Sequence, residues 1–307
     1  MDSDVVMKLA DQAQPAGSLA DGRTALDLLD TEQAVLAVLA GQAKVAAAVQ
    51  AAHREIGRAV DLLTAAYQAG GRLLLLGAGT SGRLAVQEAV EVPGTYGIPE
   101  HRIQARVAGG GAGHLVGTDA AEDDVALGRA DIAELDVGPD DAVIAVTASG
   151  RTPYTCAAAE RAGQLGAALV GITNLVGSPL ADLVEVAIEV PVGDEVVSGS
   201  TRLAAGSAQK LVLNTLTTAT MIRLGRVHDN HMIDVVAAND KLRGRVAAAV
   251  AASAGVDEAR AWQAMQRCGW NARAAIVHLV TGLAPAAAAE LAAAHRTVRE
   301  AIKSAQG

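Results

Sequence analysis

From residue 72 onward, short apolar runs alternate with stretches of helical period. Arg72–Leu76 (RLLLL), Ile103–Ala108 (IQARVA), Ala142–Thr147 (AVIAVT), Ala167–Ile172 (AALVGI) and Val186–Val190 (VAIEV) read as strands. Four of these five runs are almost continuously hydrophobic, as expected of strands covered on both faces. Residues 81–92, 119–135, 153–165 and 179–184 read as helices between them. Strand and helix in alternation predict an α/β fold with a doubly wound, five-stranded parallel sheet flanked by helices. Ligands of such sheets bind beyond the carboxyl ends of the strands, so the loops leaving those ends are the places to seek chemistry.

Upstream, Val45, Val49, Ile56, Val60, Leu63 and Tyr67 recur at helical spacing and share one face, and Gly70-Gly71 stops that pattern. Residues 1–23 show no period and read as an irregular arm. After Ser200 the chain reads as helical to its end: a long helix over 201–225, another over 231–252, and short pieces divided by Gly269, Gly282 and Pro285. The expected division is an arm (1–23), an α/β domain with N-terminal helices (24–245) and a small C-terminal helical bundle (246–307).

Composition narrows the function classes. The 307 residues carry 25 basic and 34 acidic side chains, a net charge of −9, which argues against a nucleic-acid partner. Aromatics make up 2% and Phe is absent, so stacking on bases or sugar rings is a poor expectation and the core must be built from Ala, Val, Leu and Ile. Cys156 and Cys268 form no disulfide or metal spacing, and the seven histidines form no HxH or HxxxH cluster. No signal peptide is read at the N-terminus and no apolar stretch approaches the ~20 residues of a membrane span. The expectation is a cytoplasmic protein with no membrane partner.

Two loops carry the candidate chemistry. The first strand runs into GAGTSGRL, where Gly77, Gly79 and Gly82 form G-x-G-x-x-G ahead of a helix, with Thr80, Ser81, Gly82 and Arg83 at its start. Successive amides at a helix N-terminus attract an anion. The acidic residue that a dinucleotide site wants about 20 positions on is missing, and so is a Walker lysine. A second strand ends in Thr147-Ala148-Ser149-Gly150-Arg151-Thr152 before Pro153, a residue suited to the first helical turn. Either Ser-Gly turn alone reads as helix capping. Together they point to a phosphate or sugar-phosphate pocket, to which Ser198, Ser200 and Thr201, ahead of the long helix, either contribute or serve as a cap.

These segments, with EVVSGSTRLAAGSAQKLVLNTLTTATMIRLGRV and NHMIDVVAANDKL, resemble the N-acetylmuramic acid 6-phosphate etherases, a family of the sugar-isomerase (SIS) superfamily. The resemblance runs from about residue 24 to 245 and weakly through the terminal bundle, which in the family looks like a ubiquitin-associated-type module. It implies a carbon–oxygen lyase that removes the D-lactyl ether of N-acetylmuramic acid 6-phosphate by elimination and hydration, during recycling of cell-wall sugar. It implies no metal or organic cofactor. By the same resemblance Glu91, in AVEVPGTYG, matches the proton-donating glutamate, and Glu122, in DAAEDD, matches the second, the carbon-2 base. Spacing alone reads Asp119-x-x-Glu122 as a capping box. Glu91, placed in the last turn before Pro93, would have its protonated form favoured by the helix dipole, and Glu122, at a helix start, its carboxylate.

Ser81 and Glu91, ten positions apart on one helix, would be separated by about 15 Å. That separation predicts a homodimer whose active site is composite. The family's pattern is altered at Val90, Val92, Gly94, Gly111 and Ala204. Rival readings are a non-catalytic sugar-phosphate-binding regulator, like the glucokinase regulatory protein, and an aldose–ketose sugar-phosphate isomerase.

Overall fold

The computed structural model describes residues 25–111, 119–235 and 239–307. The arm expected at 1–23 lies outside them. Helices α1 (Thr31–Gln42), α2 (Val45–Ala51) and α3 (His53–Gln68) lead to strand β1 (Leu73–Gly77), helix α4 (Gly79–Tyr96) and strand β2 (Ile103–Val107). The helix expected over 119–135 is divided into α5 (Asp119–Glu122) and α6 (Val125–Glu134), because Asp124 leaves the helical conformation and caps the second piece by accepting from Leu127 N. Then follow β3 (Ala142–Thr147), α7 (Pro153–Gln164), β4 (Ala168–Thr173), α8 (Pro179–Leu183), β5 (Val186–Glu189) and α9 (Ala204–Arg223).

The sheet order is β2-β1-β3-β4-β5, and every neighbouring pair is parallel. All five expected strands form, and all residues of β1 and β3 are buried. Their alternation divides the core by face. Leu73 and Leu75 join Ile144 and Val146 in a cluster with Ile56, Val60 and Leu63 of α3 and Val212, Leu213 and Leu216 of α9. Leu74 and Leu76, with Val143 and Ala145, pack on the other face against Ile132 of α6 and Tyr154, Ala158 and Ala162 of α7. Each buried leucine of β1 is worth roughly 1.5–3 kcal/mol. At the amino edge of the sheet Arg72 clasps Asp141, its Nη2 2.6 Å from Oδ2 and its backbone N 2.8 Å from Oδ1.

The helix expected over 231–252 is a structural correction. Residues His231–Met232 form strand β7, antiparallel to β6 (Val227–His228), and helix α10 spans Asp240–Ala254. The two-residue turn Asp229-Asn230, with Asp229 at φ 48°, closes a hairpin where apolar periodicity alone suggested a helix. Helices α11 (Glu258–Arg267), α12 (Ala272–Thr281), α13 (Pro285–Ala294) and α14 (Val298–Gln306) complete the chain. They share with α10 a third core around Val246, Val250, Met265, Ile276 and Val298, so α10 runs across the boundary expected at residue 246. Asp234 ties this core to the rest, with Arg226 Nη1 at 3.2 Å and Arg273 Nε at 3.6 Å. Burial pushes the Asp234 carboxyl up and the two arginines pull it down, with burial prevailing.

Thr31–Ala51, 21 residues long with an 18-residue stretch of mean hydropathy 1.5, is apolar enough by length and composition alone to cross a membrane. It is broken between α1 and α2, and Leu36 and Leu39 are 58% and 60% exposed.

Candidate active site

Because β1 and β3 are neighbours and Gly77 pairs with Val146, their loops leave the sheet side by side. The N-cap of α4 is Ala78, whose side chain cannot accept, so Thr80, Ser81, Gly82 and Arg83 occupy the first turns without a side-chain cap. Ser81 is therefore not the cap that a lone Ser-Gly turn suggests. Its buried hydroxyl donates to Gln209 Oε1 at 2.8 Å; Gln209 Nε2 donates to Asn174 Oδ1 at 3.0 Å, and Asn174 Nδ2 to Val190 O at 2.9 Å. This chain fastens α4 and α9 to the ends of β4 and β5. Gly82 is required by proximity: a Cβ there would lie 2.4 Å from Gly77 O and 2.6 Å from Val107 Cγ2.

In the second loop Thr147 Oγ1 and Thr152 Oγ1 are hydrogen-bonded at 2.7 Å, and Arg151 N donates to Ser149 Oγ at 3.3 Å. Gly150 has φ +66°, and a Cβ there would meet Ser178 at 2.2 Å. Thr152 is the N-cap of α7 but its side chain makes no capping bond to the helix, and Pro153 occupies the first turn as expected. The third hydroxyl cluster borders the first: a Cβ on Gly206 would be 3.4 Å from both Thr80 Cγ2 and Thr201 O. Ser198 and Thr201 are exposed and Ser200 is half-buried. None of the three caps α9. That role falls to Glu195, whose carboxylate accepts from Ala204 N and Ala205 N, both at 2.9 Å.

Glu91 is not in the last turn of its helix. Pro93 lies inside α4, which continues to Tyr96 and ends at Gly97 in the left-handed conformation. Proline removes one N–H from the ladder, while Thr95 Oγ1 supplies a donor to Glu91 O at 2.8 Å. The dipole effect fades beyond the terminal turn, so it gives Glu91 little. Its half-exposed carboxylate instead accepts from Gln87 Nε2 at 3.0 Å and lies 3.8 Å from Lys210 Nζ. Glu122 likewise ends, rather than begins, its helix, and is exposed. Helix α5 packs on α7, which follows the second loop. Within one chain the first two hydroxyl loops leave the sheet side by side and the third borders the first, whereas Glu91 stands ten residues along α4 from Ser81, about 15 Å by helical rise. Among the described residues no group of three His, Cys, Asp or Glu side chains could hold a metal ion.

The model of the glucokinase regulatory protein N-terminal SIS domain matches residues 55–165, and that of the SIS domain matches residues 130–219. N-acetylmuramic acid 6-phosphate etherase of Rubrobacter xylanophilus is 44% identical over 260 residues, 85% of this chain and 86% of that one. The enzyme of the same name from Symbiobacterium thermophilum is 46% identical over 258 residues, 84% of this chain and 86% of that one. The chain belongs to the N-acetylmuramic acid 6-phosphate etherase family. A phosphoheptose isomerase structure from Francisella tularensis, with TM-score 0.50 and 16% identity, covers 63% of this chain and 100% of that chain, and shows the fold alone.

The departures from the etherase pattern can now be placed. Val90 is 73% exposed beside Glu91, whereas Val92 packs into the core. A Cβ added at Gly94 or Gly111 would meet open space among the described residues. Ala204 is buried with its amide on Glu195.

The sequence reading missed one acid altogether. Glu88 is 2% exposed and accepts from Lys210 Nζ at 2.8 Å, Asn214 Nδ2 at 2.7 Å and Thr217 Oγ1 at 2.5 Å. Its signal was present: Glu88 lies seven residues after Ser81, on the same helical face as Ala85, Ala89 and Val92. An acid on a buried face demands partners.

Proposed function

We propose that this protein is a carbon–oxygen lyase that converts N-acetylmuramic acid 6-phosphate to N-acetylglucosamine 6-phosphate and D-lactate, in cell-wall sugar recycling. The observation that carries the reading is the 44–46% identity to N-acetylmuramic acid 6-phosphate etherases over 84–85% of the chain. The amides and hydroxyls of Thr80–Arg83, Ser149–Thr152 and Ser198, Ser200 and Thr201 hold the phosphate end of the sugar. Ser81, whose hydroxyl proton goes to Gln209, contributes its amide.

The chemistry follows from the substrate. In the open-chain aldehyde, the proton on carbon 2 is acidic and the ether oxygen on carbon 3 is a leaving group. Glu122 takes the proton, the carbon 2–carbon 3 double bond forms, and the carbon 3–oxygen bond breaks as Glu91 protonates the departing D-lactate. Water then adds to carbon 3 and a proton returns to carbon 2. Having given up its proton, Glu91 is an anion facing the Lys210 ammonium, which Glu88 anchors. Stabilisation of that kind grows along the reaction coordinate and so accelerates it.

The distance from Ser81 to Glu91 supports a homodimer in which Glu91 serves a phosphate held by the partner. The exposed Leu36 and Leu39 supply apolar surface for such an assembly. The enzyme is cytoplasmic in this reading, and the helices from 246 onward, with their own core, form an appended domain.

The test is release of D-lactate from N-acetylmuramic acid 6-phosphate by the purified protein, with Glu91→Gln and Glu122→Gln each expected to abolish it. Mixing Glu91→Gln with Ser149→Asp subunits should restore about a quarter of the activity, because half the dimers are then mixed and carry one intact site. No lactate from the natural chain would overturn the activity, and no restoration would overturn the composite site.

A further inference from the structure

One turn beyond Glu91, α4 forms a wall of a second cavity. Gly94 and Thr95 face the β6–β7 hairpin and α10 across about 520 Å³. The lining includes one guanidinium, Arg245, one imidazole, His231, the amide of Asn230 and the hydroxyl of Thr95, and it includes no carboxylate. Nearby arginines are already engaged. Arg226 and Arg273 flank Asp234, and Arg243 pairs with Asp240 at 3.3 Å and lies over the Trp270 ring. Arg245 has no hydrogen bond or ion pair among the described residues. An unpaired guanidinium among hydrogen-bond donors, in a cleft without acids, is built to receive an anion, and its planar fork matches a carboxylate.

The substrate identifies the anion. It carries two anionic groups, a phosphate at carbon 6 and the carboxylate of the lactyl ether. The phosphate belongs to the strand-end loops. The carboxylate is joined through a single carbon to the ether oxygen that Glu91 protonates, so its subsite must lie within a few ångströms of Glu91. Thr95 follows Glu91 by four residues, on the same helical face and about 6 Å along the axis, and its hydroxyl donates to Glu91 O. Lys210, the cation 3.8 Å from Glu91, is held by Glu88.

We infer that this cleft binds the lactyl carboxylate, with Arg245 as the charged partner and Asn230 and His231 as further donors. The inference rests on Glu91 as the proton donor to lactate. It gives the enzyme a means of selecting sugar phosphates that bear the lactyl group over those with a bare carbon-3 hydroxyl.

The experiment compares N-acetylmuramic acid 6-phosphate with an analogue whose lactyl carboxylate is a neutral carboxamide, using the full-length protein. The natural chain should prefer the acid in kcat/KM by about ten- to a hundredfold, the range of a charge-assisted hydrogen bond. Arg245→Gln should lose that factor on the acid and almost nothing on the amide, and Arg245→Lys should regain part of it. Asn230→Ala, which leaves the guanidinium in place, should narrow the preference less, and it serves if Arg245→Gln does not fold. An undiminished preference in Arg245→Gln, or equal losses on both substrates, would overturn the subsite. Full activity of Glu91→Gln on the natural substrate would instead overturn the underlying reading, so the two failures are distinguishable.

Discussion

Lys210 stands between two glutamates of one helix, with its Nζ 2.8 Å from Glu88 Oε2 and 3.8 Å from Glu91 Oε2. Glu88 is buried and Glu91 half-exposed, so the buried acid fixes the ammonium and the ammonium faces Glu91, the proposed proton donor. Replacing Glu88 by Gln leaves Lys210 with a weaker anchor. The expected result is a loss of about 1–3 kcal/mol in unfolding free energy and about a tenfold fall in kcat with KM little changed. Denaturant unfolding and steady-state kinetics on the same preparation check both. Lys210→Met should reproduce the fall in kcat.

Ser81 and Ser149 occupy comparable turns and differ in their bonding. The Ser81 hydroxyl proton is committed to Gln209, which Asn174 holds in turn. Ser81→Ala should therefore lower stability by about 1–2 kcal/mol, since it leaves a buried amide oxygen without its donor. Ser149→Ala should leave stability within about 0.5 kcal/mol and raise KM more than Ser81→Ala does. Melting curves and KM for the sugar phosphate, measured on both variants, separate the two roles.

Gly150 is constrained twice, by φ +66° and by Ser178 at 2.2 Å from any Cβ. Gly150→Ala should cost about 2–4 kcal/mol and displace the second loop. Urea unfolding gives the cost. Gly94→Ala, inside α4 where an added Cβ meets open space among the described residues, is the control and should stabilise by about 0.5–1 kcal/mol.

Asp141 links the sheet edge to acid stability. Burial pushes its carboxyl up, but hydrogen bonds from Arg72 and Gly138 outweigh burial and hold it below the ordinary 3.8. A carboxyl lowered on folding adds stability above its unfolded value, and that contribution is lost as pH falls through the folded value. Unfolding free energy should thus decline below about pH 4 in the natural chain. Asp141→Asn should flatten that decline and cost about 2–4 kcal/mol at neutral pH, because Arg72 loses its charged partner. Unfolding followed from pH 6 to pH 3 tests the sign.

Much of the architecture could be read along the chain because parallel strands buried on both faces are written as apolar runs. Each of the five began or ended within one residue of its expected place. The α4 boundary was harder. Pro93 suggested a stop, yet a proline near a helix end removes a single bond, and the neighbouring threonine hydroxyl gave Glu91 O another donor. The cap of α9 was left open because it is remote. Glu195 reaches Ala204 and Ala205 across nine and ten residues, a pairing that no local motif encodes. The hairpin at 227–232 was hidden because two-residue strands have no period to detect. Glu88 was legible on the helical wheel as an acid on an apolar face, but its partners Lys210, Asn214 and Thr217 lie over 120 positions away.

Elimination followed by hydration places the new hydroxyl oxygen on a known carbon. Run in water enriched with oxygen-18, the reaction should give N-acetylglucosamine 6-phosphate labelled at carbon 3 and D-lactate with an unlabelled hydroxyl, because the ether oxygen leaves with lactate. Label in the lactate hydroxyl, with carbon 3 unlabelled, would contradict the account.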